Sequence, residues 1–293
     1  MKPLHVALIV KNVPATRERD QNQAGYFSYA VPEFTWEHFS PGKGIRLGLR
    51  AFKRAGFDIV FHLDGGNWCT YADRAIPVVY FAIDSTLSEV HYIARLSQAR
   101  RADLVLVEHD RLDRFETCQA PVERWAFSVN DHLFCPREKV TDVAFHCNSG
   151  GVPNSERARV RELLRRYCER SGYSYRSERL SAIDYAQSLG EARIVVNLPQ
   201  VASNRPHRVI DAMAAGAALL TAPIPKVSGE HREEGRDYLV WRTDEELFGQ
   251  IDECLAGRWQ AYAAAGYAWA VPARTWATQA GVLRRIIQER LGL

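Results

Sequence analysis

Six polar side chains lie close together between two apolar segments: Ser203, Asn204, Arg205, His207, Arg208 and Asp211. His207 and Arg208 can hold negative charge on an oxygen. Asp211 can accept hydrogen bonds from hydroxyls. It follows His207 by one helical turn, so in a helix the two share a face. A carboxylate beside an anion site is out of place for bare phosphate. It fits a nucleotide, with phosphates on the cationic groups and ribose hydroxyls on the acid. A second polar run, Asn148-Ser149-Gly150-Gly151, precedes a helical pattern and offers another phosphate cradle.

These groups need elements to position them. Ile194, Val195 and Val196 form a compact apolar strand. Pro206 suits the first turn of a helix, where its missing N–H costs nothing, and Gly216 suits the end of that helix. Another strand then runs to Thr221. A helix opened in this way turns unpaired N–H groups toward the preceding loop, which makes an anion site. Upstream, a strand over 143–147 leads into the glycine-rich loop. Ser155 caps a helix that carries Val160, Leu163, Leu164, Tyr167 and Cys168 on one face.

The first half repeats the alternation. Strands are predicted at 6–10, 59–63, 77–83 and 104–108, helices at 44–55 and 87–101, and a long polar and aromatic loop over 11–42. The pattern predicts an α/β fold, with parallel sheets covered by helices on both faces. Asp64 and Asp84 each end an apolar strand, where side chains of open α/β sheets serve function. The loop over 11–42, with Arg17, Tyr26, Trp36 and His38, suits a polar acceptor.

The segment Arg208-Val209-Ile210-Asp211-Ala212-Met213-Ala214-Ala215-Gly216 resembles R-V-F-E-A-M-A-C-G, the donor-site helix of group-1 glycosyltransferases of the GT-B fold. The form is that of the subgroup related to spore-maturation proteins. Residues 234–240 and 243–247 resemble two further motifs of the family, G-x-E-x-L-V and D-x-E-E-L. The resemblance covers residues 139–293 well and the first half in outline. It implies two Rossmann-like doubly wound domains facing a cleft. An acceptor-binding domain would span 1–138 and a nucleotide-sugar domain 139–274, and a helix over 275–293 would cross back onto the first domain.

It also implies transfer of a sugar from a nucleotide sugar, such as a UDP- or GDP-sugar, to a hydroxyl with retained configuration. No metal or further cofactor is expected if the helix dipoles and the cationic side chains hold the charge on the leaving phosphate. Asn148, Gly150, Gly151, Ser203, Asn204, Arg205, His207, Arg208, Val209 and Asp211 are the expected donor-binding residues. Arg208, Asp64 and Asp84 are the candidates for the chemistry. One position departs from the family: the Glu that contacts the transferred sugar, eight positions before the ribose-binding acid, is Ser203 here. The identity of the donor sugar therefore does not carry over. The acceptor stays open among a sugar, a lipid-linked glycan, a protein and a hydroxylated base in DNA. A nucleotide-sugar epimerase or hydrolase, or a binding module without catalysis, are the alternatives to transfer.

Composition bounds the rest. The chain has 293 residues, 46% of them apolar, and a net charge of +3. That size allows two ordinary domains, and that charge excludes a strong overall polyanion signal. Residues 1–54 are locally basic, with nine Lys/Arg against four Asp/Glu, a balance of +5. No apolar run approaches the roughly 20 residues of a membrane span. The six cysteines form no C-x-x-C pair and the histidines show no metal-ligand spacing. These features predict a cytoplasmic protein.

Overall fold

The structure, a computed structural model, describes residues 2–9, 31–39, 44–63, 69–82, 89–108, 112–126, 128–147, 155–178, 180–199, 206–225 and 231–293, without the side chains of 89–91. The chain divides into two units. One takes the described residues before Ser128 together with Trp276–Leu293, and the other takes Ser128–Thr275.

The first unit is built on strands β1 (Leu4–Ile9), β2 (Phe34–Phe39), β3 (Arg46–Leu47), β4 (Ile59–Leu63), β5 (Thr70–Tyr71), β6 (Val78–Ala82), β7 (Leu104–Val107) and β8 (Val122–Arg124), with helices α1 (Leu49–Arg54) and α2 (Glu89–Ala99). Six strands form one parallel sheet in the order β2-β1-β4-β6-β7-β8. β4, β6 and β7 are buried along their whole length, as expected of apolar runs covered on both faces. Ala7, Ile9, Val60, Val78, Tyr80 and Val105 pack on one face with Leu49, Phe57 and Phe115. An aromatic layer joins Phe34, Trp36, Phe61, Phe81 and Trp125 to Trp276.

Two local expectations change here. The stretch over 11–42 is not all loop, because Phe34–Phe39 pairs with β1 as an edge strand. The helix expected over 44–55 begins only at Leu49, and Arg46–Leu47 pairs instead with β5.

The second unit holds β9 (Thr141–Ala144), α3 (Ser155–Ser171), β10 (Tyr175–Arg176), α4 (Ala182–Glu191), β11 (Ala192–Asn197), α5 (Arg208–Ala214), β12 (Ala218–Thr221), β13 (Leu239–Val240), α6 (Asp244–Glu253) and α7 (Trp259–Arg274). Its parallel sheet has the order β10-β9-β11-β12-β13. Caps fix the helix starts. The Ser181 hydroxyl accepts from Asp184 N and the Thr243 hydroxyl from Glu246 N, each satisfying an N–H that the first turn leaves over. α5 ends in a Schellman turn, with Ala217 N donating to Ala212 O and Gly216 N to Met213 O. Gly216 has φ +66°, and a Cβ there would lie 2.9 Å from Pro136 Cγ. Lys139 Nζ donates to Gly190 O (2.7 Å) and Ala215 O (3.3 Å), so one ammonium joins the C-terminal ends of α4 and α5. Burial lowers that ammonium to a pKa of about 8.

The last helix, α8 (Trp276–Leu291), belongs to the first unit. Trp276 is fully buried in the aromatic layer. The Trp125 indole donates to Gln279 O (3.2 Å), and Arg290 pairs with Glu123.

Candidate functional site

In the second unit the chain leaves β9 toward β10 on one side of the sheet and leaves β11 toward β12 on the other. β9 and β11 are therefore the neighbours at which the winding reverses. A crevice opens outside the carboxyl ends of such a strand pair, and ligands of doubly wound sheets bind there. β9 runs on into Phe145, His146 and Cys147, and β11 into Leu198. α3 and α5 are the helices that follow these two strands.

Two arginines converge on this point. Arg157, in the first turn of α3, is 9% exposed, and its Nε donates to the Leu198 carbonyl (3.1 Å). Arg208, the first residue of α5, donates from a terminal nitrogen to Asn197 Oδ1 (3.2 Å). The Asn197 amide is oriented for this role, since its Nδ2 donates to the Thr221 hydroxyl (2.8 Å), which donates in turn to Ala222 O (2.7 Å). Arg208 Nε is buried and has no hydrogen-bond partner among the described residues. Burial, and then repulsion from Arg208, lowers the pKa of Arg157. Two guanidiniums anchored on the neighbouring residues Asn197 and Leu198 and partly out of water raise each other's energy, and an anion bound by both offsets that cost.

The surroundings set the field. Tyr185 on α4 hydrogen-bonds Arg208; burial pushes its phenol well up, Arg208 pulls it down and Asp211 pushes it up. Asp211, in the first turn of α5, is 2% exposed. His146 is 4% exposed and joins the end of β9 to α4. Its Nδ1 lies 2.9 Å from Glu178 O and its Nε2 2.8 Å from the Ser188 hydroxyl. A carbonyl only accepts, so Nδ1 carries the proton and Nε2 accepts from Ser188. Burial, with Arg208 and Arg176 adding to it against the Glu178 carbonyl, lowers the pKa of His146 to about 4. The imidazole is neutral at pH 7.

Among the expected donor residues, the start of α5 gathers His207, Arg208 and Asp211. Val209 lies beside them with its side chain fully buried and its N–H donating to Pro206 O (3.1 Å). The supply of free helix amides is smaller than expected. Ile210 N and Asp211 N both donate to His207 O, so positive charge comes chiefly from side chains. Asp64, Asp84, Asn148, Gly150, Gly151, Ser203, Asn204 and Arg205 lie outside the described residues. Arg157 was not anticipated. Its only sequence signal is a basic residue near the start of a helix crowded with arginines. Among the described residues no group of three or more His, Cys, Asp or Glu is placed to hold a metal ion.

A model of the glycosyl transferase-like family matches residues 132–284, slightly more than half of the chain, and the chain belongs to that family. Among solved structures, sucrose-phosphate synthase from Thermosynechococcus elongatus is similar at a TM-score of 0.63 and 12% identity, over 99% of both chains. HepE from Anabaena, in complex with UDP-glucose, is similar at 0.60 and 13%, over 98% of this chain and 100% of that one. A glycosyltransferase from Rickettsia africae is similar at 0.58 and 11%, over 99% of each. Among curated protein sequences none matches. The fold is the α/β GT-B fold, and the protein is a glycosyltransferase.

Proposed function

We propose that the chain transfers a sugar from a nucleoside diphosphate sugar to a hydroxyl acceptor, with retained configuration and without a metal ion. The observation that carries this reading is the convergence of Arg157 and Arg208 on the reversal point of the second sheet. Their guanidiniums hold the diphosphate, and Asp211 accepts hydrogen bonds from the ribose hydroxyls. During transfer the bond between the anomeric carbon and the phosphate oxygen breaks and its electron pair stays on the diphosphate. The sugar becomes oxocarbenium-like, the acceptor oxygen bonds to the anomeric carbon, and the acceptor's proton passes to the departing diphosphate oxygen. Charge on the departing oxygen is greatest late in this process. Fixed cations aimed at it therefore stabilise the transition state more than the bound donor.

Two guanidiniums supply the charge that a divalent cation supplies elsewhere, which is the basis for the metal-independent reading. Retention, and a place in the subgroup related to spore-maturation proteins, rest on the sequence resemblance. A UDP-sugar is the first donor to test, because HepE was solved with UDP-glucose. Asp64 and Asp84, which follow β4 and β6, are assigned to orienting the acceptor. The six thiols are free, which suits a reducing, cytoplasmic setting.

The test is release of nucleoside diphosphate from a panel of UDP- and GDP-sugars with mixed acceptors, with and without EDTA. Transfer that EDTA leaves unchanged is expected. Free sugar as the sole product would make the protein a hydrolase, and tight donor binding with no turnover would make it a binding module.

A further inference from the structure

The first unit has a concavity of its own, with a volume of about 370 Å³ and lined by Arg46, Thr70, Tyr71, Arg74 and Arg101. The short β3–β5 pair builds one wall and sets Arg46 in register with Thr70. Thr70 N donates to Ile45 O (3.0 Å) and Ala72 N to Leu47 O (2.7 Å), which closes that pair at both ends. The Arg74 guanidinium is aimed by the Arg101 carbonyl (2.8 Å) and by Asp103 (3.2 Å). The Tyr71 hydroxyl is engaged by His62 Nδ1 (2.9 Å). Arginine side chains and the Thr70 hydroxyl remain to meet a ligand.

The charge is unbalanced. Asp103 offsets Arg74, and it also accepts from Val78 N (2.8 Å). Among the described residues, Arg46 and Arg101 form no salt bridge. Several guanidiniums around one concavity are a recognition pattern for phosphate, which they meet with paired, charge-assisted hydrogen bonds. Size then separates a bare ion from an organic ligand. A water takes up about 30 Å³ of liquid, so a single phosphate fills a small part of the space, whereas small-molecule sites begin near about 300 Å³.

Position separates this cavity from the transfer chemistry. Arg74, Arg101 and Asp103 precede β6 and β7, at the edge of the sheet where those strands begin. Substrates of open α/β sheets sit at the opposite, carboxyl ends. We propose that this cavity binds the phosphate of a small phosphorylated organic molecule, as a second site distinct from that of sugar transfer. The bound phosphate ties β3 and β5 to the segment before β7 and relieves the repulsion among the arginines.

Calorimetric titration with inorganic pyrophosphate tests it. The wild type is expected to bind two equivalents. Arg46→Ala/Arg101→Ala is expected to keep one and to bind the other about a hundredfold more weakly. Arg157→Ala/Arg208→Ala is expected to lose the other equivalent. Arg46 and Arg101 are exposed, so their truncation spares the core, and an unchanged melting temperature without anion confirms it. Pyrophosphate binding that Arg46→Ala/Arg101→Ala leaves intact overturns the proposal. A single wild-type equivalent that only this variant loses supports the site and counts against the donor reading instead. In the Arg157→Ala/Arg208→Ala background, glucose 6-phosphate is expected to bind more tightly than inorganic phosphate. The reverse order overturns the organic part of the ligand.

Discussion

Stability of the second unit should fall with acid in a way that one residue controls. His146 is neutral in the fold, with its pKa lowered from 6.5 to about 4, chiefly by burial. The unfolded chain binds a proton on this imidazole between those two values and the folded chain does not. The stabilisation is therefore complete above about pH 6.5 and is lost as pH falls toward 4. Weighing the protonated fractions of both states, the loss between pH 7 and pH 5 is about 2 kcal/mol, and about 3 kcal/mol once pH is below 4. The perturbation is His146→Asn, which keeps a donor and an acceptor but does not titrate. The assay is urea unfolding of wild type and variant at pH 7 and pH 5. Carboxylates held low in the fold, such as Asp237 and Asp244, act on both proteins and cancel. The variant should be less stable at pH 7 and should lose about 2 kcal/mol less than the wild type on acidification. An identical pH dependence in the two proteins would refute the reasoning, since His146 would then be solvated or already charged in the fold.

Other outcomes follow from the same geometry. Arg157→Ala should lower kcat/KM about a hundredfold to a thousandfold, mostly through kcat, because the guanidinium acts on charge that develops late; a change in KM alone would place Arg157 outside the transition state. Asp211→Ala should abolish nucleotide binding in a calorimetric titration while the protein remains folded, and near-normal affinity would remove Asp211 from the site. Gly216→Ala should cost at least about 2 kcal/mol in urea unfolding, since φ is +66° and the new Cβ would lie 2.9 Å from Pro136 Cγ; an unchanged midpoint would mean that residues around Pro136 give way freely.

The parts legible in the sequence are those in which local pattern and final packing agree. The apolar runs of β4 and β11 can be buried in only one way, and the strong punctuation of Pro206 and Gly216 delimits α5. β2 was hidden because Phe-Thr-Trp-Glu-His-Phe has the half-exposed pattern of an edge strand, and its aromatics serve a layer completed by Trp276 from the far end of the chain. Arg208 and Asp211 were legible as a charged pair in a small, otherwise apolar helix. Arg157 was not, because its helix carries arginine at 159, 161, 165, 166 and 170 as well. What distinguishes it is burial against the Leu198 carbonyl, and Leu198 is 41 residues away. His146 was equally silent: its neutral tautomer follows from partners on a separate loop and on α4.

The central claim is that Arg157 and Arg208 hold the diphosphate of the donor. Titration of UDP and GDP into wild type and into Arg157→Ala/Arg208→Ala tests it most directly. One equivalent of one nucleotide should bind the wild type, and the variant should bind it at least about a hundredfold more weakly while unfolding cooperatively. Equal affinity in both proteins, or a wild type that binds neither nucleotide, would contradict the account.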